Sequence, residues 1–115
     1  MPTDLERAYL AGFADGEGGF TITVKRNGSE TRLYHQFMFQ VSNTHLLTLK
    51  ILQQKWGGNI HSPKERAEAH WKPCYHLVWT DAAAVKVLVE IQPFLITKRE
   101  QCRVAFRVLE VQRDG

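Results

Sequence analysis

The sequence predicts an α+β domain in which helices cover one face of an antiparallel β-sheet. Apolar residues recur at helical spacing in four segments, and in the other segments apolar and polar residues alternate with a period of two. The segments follow one another in the order α-β-β-α-β-β-α-α. Such strands pair antiparallel, so their shared apolar face packs against the helices. The 115 residues suffice for one core, and we expect a single domain over residues 1–115.

The first helix is predicted over residues 4–15. Thr3 and Glu6 have the T-x-x-E spacing of a capping box, which satisfies free N–H groups at a helix start. Closely spaced glycines then end the helix and lead into a strand. One side of the helix carries large residues, and another side carries only small ones, namely Ala8, Ala11 and Gly12.

Two strands follow as a hairpin, over residues 20–26 and 32–41. Apolar and polar residues alternate in each strand, which indicates one buried face and one open face. The Asn27-Gly28 pair between the strands is a strong hairpin-turn signal.

A second helix and a short strand come next. Asn43 or Thr44 is predicted to cap this helix, which runs to Trp56 and is stopped by Gly57-Gly58. The short strand is predicted over residues 59–62. A charged loop follows it.

The last three elements are a strand and two helices. The strand is predicted over residues 74–80, and Thr80-Asp81 begins a helix that ends near Gln92-Pro93. Thr97 and Glu100 form a second T-x-x-E box, which predicts the start of the final helix.

Composition limits the possible functions. Fifteen Lys and Arg residues against 12 Asp and Glu residues permit a polyanionic partner without requiring one. No apolar run approaches the roughly 20 residues that span a bilayer, and the N-terminus lacks the pattern of a signal peptide. We therefore expect an intracellular protein, in the cytoplasm, the nucleoid or an organelle matrix. Cys74 and Cys102 are expected to be reduced thiols, and the loose cluster His61, His70, Cys74 and His76 matches no standard zinc spacing.

Two acids, Asp15 and Glu17, stand where the first helix ends. The helix dipole leaves partial negative charge at that end, so a cation is expected to compensate the carboxylates. Because the acids alternate, only one of them needs to face a given ligand. One carboxylate with open water positions suits Mg²⁺, and a solvated helix end is the alternative.

The open face of the predicted sheet is rich in long hydrogen-bonding side chains. Such side chains can pair with base edges in the DNA major groove, and a two-stranded ribbon fits that groove. A simply solvated sheet face is the alternative. The residues concerned are Thr21, Thr23, Lys25, Arg32, Tyr34, Gln36, Gln40, Asn59, His61 and His76.

The segment LAGFADGEG, residues 10–18, resembles the signature of the LAGLIDADG homing endonucleases. Further segments match this family in order: FQVSNT at residues 39–44, GGNI at residues 57–60 and QPFLITK at residues 92–98. Phe13, Ala14, Gly16 and Glu17 stand where the family name has Leu, Ile, Ala and Asp. Glu17 keeps the carboxylate of the eighth motif position.

The resemblance implies a four-stranded, saddle-shaped sheet and a site-specific endonuclease that hydrolyses double-stranded DNA at a long pseudo-palindromic target. Since the motif occurs once, it also implies a homodimer, with Ala8, Ala11 and Gly12 at the contact and Asp15 serving the helix end and that contact. Glu17, with Asp15 as a second candidate, would bind Mg²⁺, Mn²⁺ or Ca²⁺. Neither a membrane nor a small-molecule substrate is expected.

The family also suggests roles for other residues. Lys98 matches a basic residue near the scissile phosphate, although a solvated lysine is the alternative. Asn43 or Gln40 would position the attacking water, and Asn43 could instead only cap the second helix. Lys64, Arg66 and Lys72 of the charged loop are expected to contact phosphates. Two other functions stay open: a DNA- or RNA-binding module of this fold without cleavage, such as a maturase or regulator, and a structural domain.

Overall fold

Helices cover one face of a four-stranded antiparallel sheet. The structure, a computed structural model, describes residues 2–26, 33–62 and 73–114, and for residues 24–26, 33–35 and 109–114 the backbone alone. In chain order the elements of these residues are α1 (Asp4–Glu17), β1 (Gly18–Arg26), β2 (Leu33–Asn43), α2 (Leu46–Trp56), β3 (Asn59–His61), β4 (Tyr75–Thr80), α3 (Asp81–Ile91) and α4 (Arg99–Asp114). A 3₁₀ turn, Gln92–Phe94, follows α3.

The predicted α+β class and order of elements are confirmed. The first helix ends at Glu17 rather than at residue 15, so both acids belong to its last turn. The other boundaries shift slightly: β2 ends at Asn43, β3 ends at His61 and β4 begins at Tyr75. No helix of the described residues is both long and apolar enough to cross a membrane.

The strands lie in the order β1-β2-β4-β3, and each neighbouring pair is antiparallel. One row across the sheet is formed by Gly18, Val41, Leu77 and Ile60. Successive residues of a strand point to opposite faces, so this row faces the helices and the next row faces away. The register therefore decides which polar side chains share the open face.

The core lies between the sheet and the helices. Phe39 and Trp79 stack in it, with ring centroids 5.2 Å apart and planes 15° apart. Leu10, Ala11 and Ala14 of α1 are fully buried against it. The prediction that Ala11 lies at a dimer contact is therefore wrong, because its methyl group is enclosed by its own chain.

The helix caps agree with the sequence only in part. The box at the start of α1 is confirmed: Thr3 N donates to Glu6 Oε1 at 2.8 Å, and Glu6 N donates to Thr3 Oγ1 at 3.2 Å. The capping residue of α2 is His45, not Asn43 or Thr44. Asn43 Oδ1 instead accepts from His45 N at 2.8 Å, which forms a turn ahead of the helix.

Two charged contacts fasten α1 to the neighbouring helices. Arg7 Nε donates to Glu90 Oε1 of α3 at 2.9 Å, and Glu6 pairs with Lys55 of α2. The hydrogen bond from Lys55, together with that from the Thr3 N–H, lowers the pKa of Glu6 from 4.5 to about 2. The orientation of α1 over the sheet is thereby fixed near its N-terminus.

Candidate functional site

The junction between α1 and β1 fixes the position of Glu17. Gly18 N donates to Ala14 O and closes the helix. A Cβ atom on Gly18 would lie 2.8 Å from Ala14 O and 3.1 Å from Gln40 O, so only glycine fits. Glu17, one residue before the strand, is exposed. Within the described residues its carboxylate makes no hydrogen bond or ion pair, so it is open to an external ligand.

The carboxylate of Asp15 is occupied within the chain. Its Oδ2 accepts from Ile96 N at 2.8 Å, and its Oδ1 accepts from Lys98 N at 2.9 Å. Partial burial raises the pKa of Asp15, but the N–H groups of residues 96–98 and the charge of Lys98 outweigh burial, and the pKa is lowered. This geometry does not support Asp15 as a metal ligand, because both oxygens are committed to backbone donors. Its predicted part in a dimer contact stays a prediction.

The same contacts replace the predicted capping box of the last helix. α4 begins at Arg99, and the carboxylate of Glu100 pairs with Arg103 at 3.1 Å instead of turning back to Thr97. The N–H groups of Ile96 and Lys98, ahead of α4, bond to Asp15, which lies 81 and 83 positions earlier in the chain. The Asp15 carboxylate, distant in the chain, thus accepts the N–H of Lys98 at this helix start, where the local pattern predicted a cap by Thr97.

Lys98 supplies the cation that the acids at the end of α1 require. Its Nζ donates to the backbone O of Asp15 at 2.8 Å, at the negative end of the helix dipole. The sequence argument assigned this compensation to Mg²⁺, whereas the structure places a lysine there. Glu17 follows Asp15 by two positions, so the acid and the ammonium group belong to the same end of α1.

Gln40 and Asn43 differ in the face they occupy. Phe39 and Val41 are buried, so Gln40 between them points to the open face, directly opposite Gly19. Asn43 has the parity of the buried residues, and its Oδ1 is engaged in the turn before α2. Gln40 is therefore the one of these two residues that lies on the face continuing from Glu17.

The open face carries most of the polar residues that the sequence assigned to it. Ser42 is an addition: its Oγ lies 2.6 Å from His76 Nδ1, and His76 stands opposite His61 of β3. The alternation of β2 beyond residue 41 is the signal that would have revealed Ser42. The predicted residues found on this face are Thr21, Thr23, Gln36, Gln40, Asn59, His61 and His76.

For the remaining predicted DNA contacts, no side-chain position is described. The backbone of Lys25 and Tyr34 belongs to the hairpin, and nothing is described of their side chains. The loop cations and one hairpin residue lie outside the described residues, namely Arg32, Lys64, Arg66 and Lys72. Their predicted roles stay predictions.

The outer side of α1 is unusual for a surface helix. Ala8 and Gly12 are exposed, and a Cβ atom at Gly12 would have nothing within 4 Å. On the same side Leu5 is 85% exposed and Tyr9 is 57% exposed. A helix face turned to solvent is normally polar, so these apolar and small residues indicate a covered surface.

The donor chemistry at Glu17 fits a magnesium ion. Mg²⁺ keeps several waters and is commonly held by one or two carboxylates together with substrate phosphates. One exposed carboxylate at the edge of the polar face meets that requirement. Across the described ranges no cluster of three or more His, Cys, Asp or Glu side chains could hold a metal without such outside ligands.

Comparison with protein families gives one match, which covers most of the chain. The sequence profile described as LAGLIDADG endonuclease matches residues 10–100. No curated protein matches the sequence.

Several solved structures have a similar fold. One is the homing endonuclease I-CvuI in complex with the I-CreI target (TM-score 0.75, 19% identity, 92% of this chain and 66% of that chain). A second is the archaeal intron-encoded homing endonuclease I-Vdi141I complexed with DNA (TM-score 0.73, 19% identity, 97% of this chain and 71% of that chain). A third is the I-SmaMI homing endonuclease bound to cleaved DNA (TM-score 0.69, 15% identity, 99% of this chain and 39% of that chain). The chain thus spans just under two thirds of I-CvuI and less than half of I-SmaMI.

Proposed function

This chain belongs to the LAGLIDADG endonuclease family, and we propose that it is a dimeric, divalent-metal-dependent endonuclease that cuts double-stranded DNA at one long pseudo-palindromic target. The observation that carries the proposal is the end of α1, which brings two charged groups to one helix turn. Glu17 has an exposed carboxylate directly before β1, and the ammonium group of Lys98 is bonded to the backbone oxygen of Asp15 in the same turn.

The polar face supports DNA as the substrate. Its amide and imidazole side chains, among them Gln36, Gln40 and His76, present donors and acceptors of the kind that read base edges in the major groove. Each of the three solved structures described above is a complex with DNA or a DNA target. Phosphate contacts from loop cations would set affinity, and the face would set sequence preference.

Glu17 is the proposed metal ligand. A bound Mg²⁺ would supply Lewis-acid polarisation of a phosphoryl oxygen and would lower the pKa of a coordinated water. The ammonium group of Lys98 would sit against a phosphate oxygen and stabilise its growing negative charge. Gln40, as both donor and acceptor, would hold the attacking water by hydrogen bonds.

The outer side of α1 supports a dimer. A chain with one motif brings one Glu17, and cleavage of two strands needs two such sites. Gly12 and Ala8 allow another helix to approach closely, and Leu5 and Tyr9 would be covered by that approach. A two-fold axis along these helices would place both copies of Glu17 near each other and would join the two sheets into one DNA-binding surface.

Selection from a random DNA library, followed by a cleavage assay on the selected sites with Mg²⁺, tests the proposal. We expect the parent to cut both strands and Glu17→Gln to bind the same DNA with equal affinity. Cleavage by Glu17→Gln should fall by about a thousandfold or more, since the charge that holds the metal is lost. Glu100→Gln, another exposed carboxylate, is the matched control and should cut like the parent.

The outcomes separate the remaining functions. A Glu17→Gln protein that cuts at the parental rate contradicts the metal assignment. A parent that selects a DNA site and never cuts it indicates a binding module of this fold. A parent that selects no DNA contradicts the proposal altogether.

A further inference from the structure

Asp15 holds Lys98 at both ends. The carboxylate accepts the backbone N–H of Lys98 at 2.9 Å, and the backbone carbonyl of Asp15 accepts Lys98 Nζ at 2.8 Å. A third contact, from Ile96 N to Asp15 Oδ2 at 2.8 Å, fixes the segment that leads to Lys98. One residue of α1 therefore determines where the lysine begins and where its ammonium group ends.

Such a double attachment matters for a lysine more than for most residues. A lysine side chain has four rotatable bonds, so ordering it costs more rotamer freedom than ordering most side chains does. A charge that stabilises a transition state is most effective when it is already in place before the reaction. The contacts to Asp15 order Lys98 in the protein without its substrate.

The attachment also sets Lys98 relative to Glu17. Both contacts of Lys98 are made to the last turn of α1, and the same turn carries Glu17. Gly18 follows that turn at a close contact, because a Cβ atom there would lie 2.8 Å from Ala14 O and 3.1 Å from Gln40 O. A substitution of the Asp15 side chain would release the backbone N–H of Lys98 and would leave its ammonium group with only the backbone oxygen of residue 15 as a partner.

We propose that Asp15 is a positioning residue: it keeps the ammonium group of Lys98 at the end of α1 that carries Glu17, where this group stabilises the charge that develops on the scissile phosphate. This inference rests on the proposed endonuclease function. Asp15 acts through Lys98 and has no contact with substrate of its own. On this proposal the two acids of the motif have different roles: Glu17 binds the metal, and Asp15 holds Lys98.

The test is a double-mutant cycle on the full chain with its selected DNA site. Asp15→Asn keeps the size of the side chain, but its amide can accept only one of the two N–H groups. Single-turnover cleavage with all DNA bound should fall about 100-fold for Lys98→Ala and about tenfold or more for Asp15→Asn. The Kd of the metal-free complex should change by less than about threefold for Asp15→Asn.

Non-additivity distinguishes positioning from general support of the fold. In the Lys98→Ala background Asp15→Asn should slow cleavage less than twofold, because the group that it positions is gone. Arg99→Gln is the matched control: Arg99 bonds to Leu95 O at 3.1 Å and to Pro93 O at 3.0 Å, in the same segment but away from Asp15. This control should cut within about twofold of the parent.

Three results would overturn the inference while leaving the endonuclease in place. They are equal slowing by Asp15→Asn with and without Lys98, unchanged cleavage in Lys98→Ala, and a loss in Arg99→Gln as large as that in Asp15→Asn. A parent that binds its site and does not cut it overturns the proposed function, and the inference falls with it.

Discussion

Gly18 and Gly19 are neighbours in the chain, but their surroundings differ. A Cβ atom on Gly18 would meet backbone atoms of Ala14 and Gln40, whereas a Cβ atom on Gly19 would have nothing within 4 Å. Backbone atoms at such a junction cannot move aside as the end of a flexible side chain can. The two glycines therefore form a matched pair for testing how the acid is held.

We expect Gly18→Ala to lower the free energy of unfolding by about 1–3 kcal/mol, as overpacking does, and to slow cleavage by moving Glu17. Gly19→Ala should stay within about 1 kcal/mol of the parent. Urea denaturation followed by tryptophan fluorescence measures both. Equal stability of the two variants would contradict the close packing at Gly18.

Individual site residues were predictable where the pattern was local. The sequence predicted most of the open face correctly and predicted that Glu17 stands at the end of α1, because a motif and a period-two alternation need no knowledge of distant residues. It left open which of Asn43 and Gln40 lies on the open face, since this depends on the exact end of β2. It misjudged Ala11, because small residues on a helix look alike whether they meet their own core or another chain.

At the scale of elements, α1 is held at both ends by carboxylates that act on different partners. The Glu6 carboxylate accepts from the N–H of the N-cap residue Thr3 and pairs with Lys55, and the Asp15 carboxylate accepts from the segment before α4. The local T-x-x-E pattern found the first of these but misplaced the start of α4. A motif of four residues cannot reveal that the Asp15 carboxylate of α1 already accepts the N–H of Lys98.

The lowered pKa of Glu6 predicts that its contribution to stability depends on pH. The pKa of Glu6 is about 2 in the folded chain against an ordinary value of 4.5, so its ionised form stabilises folding above pH 4.5. That contribution is lost as pH falls from 4.5 toward 2. We therefore expect Glu6→Gln to be less stable than the parent at pH 7 and the difference to vanish near pH 2.

Urea denaturation at pH 7, 4.5, 3 and 2 measures this difference. Glu100→Gln is the control, because its exposed pair with Arg103 contributes little to stability. A gap between Glu6→Gln and the parent that stays constant over this range would show that the charge of Glu6 is not what stabilises the fold.

For the whole molecule, the outer side of α1 is the surface that should decide assembly. We expect the parent to be a dimer at micromolar concentration and Gly12→Leu to be a monomer, since overpacking a close contact costs about 1–3 kcal/mol or more. Ala83→Leu adds the same bulk at an exposed position of α3 and should remain dimeric. Sedimentation velocity distinguishes these states, and a monomeric parent that cuts both strands would refute the dimer.

The proposed roles of the sheet face in base recognition and of the loop cations in phosphate binding are also testable. Gln36→Ala should relax preference at one base pair of the target, at a cost of about 1–3 kcal/mol. Lys64→Ala should weaken binding to all sequences alike and reduce the salt dependence by about one phosphate contact. Affinities for the target and its point variants at several salt concentrations give both quantities. Uniform weakening by Gln36→Ala would mean that this residue does not read bases.

The contact between Asp15 and Lys98 joins positions 83 residues apart, which has a consequence for biosynthesis. Closing a loop of that length in an unfolded chain costs about 4 kcal/mol of chain entropy, so we expect this contact to form late, after the intervening strands and helices have condensed. A nascent chain that has not yet released α4 from the ribosome already contains the acid and the sheet. It still lacks the ordered lysine. The order of synthesis thus delays the completed centre until the rest of the fold exists.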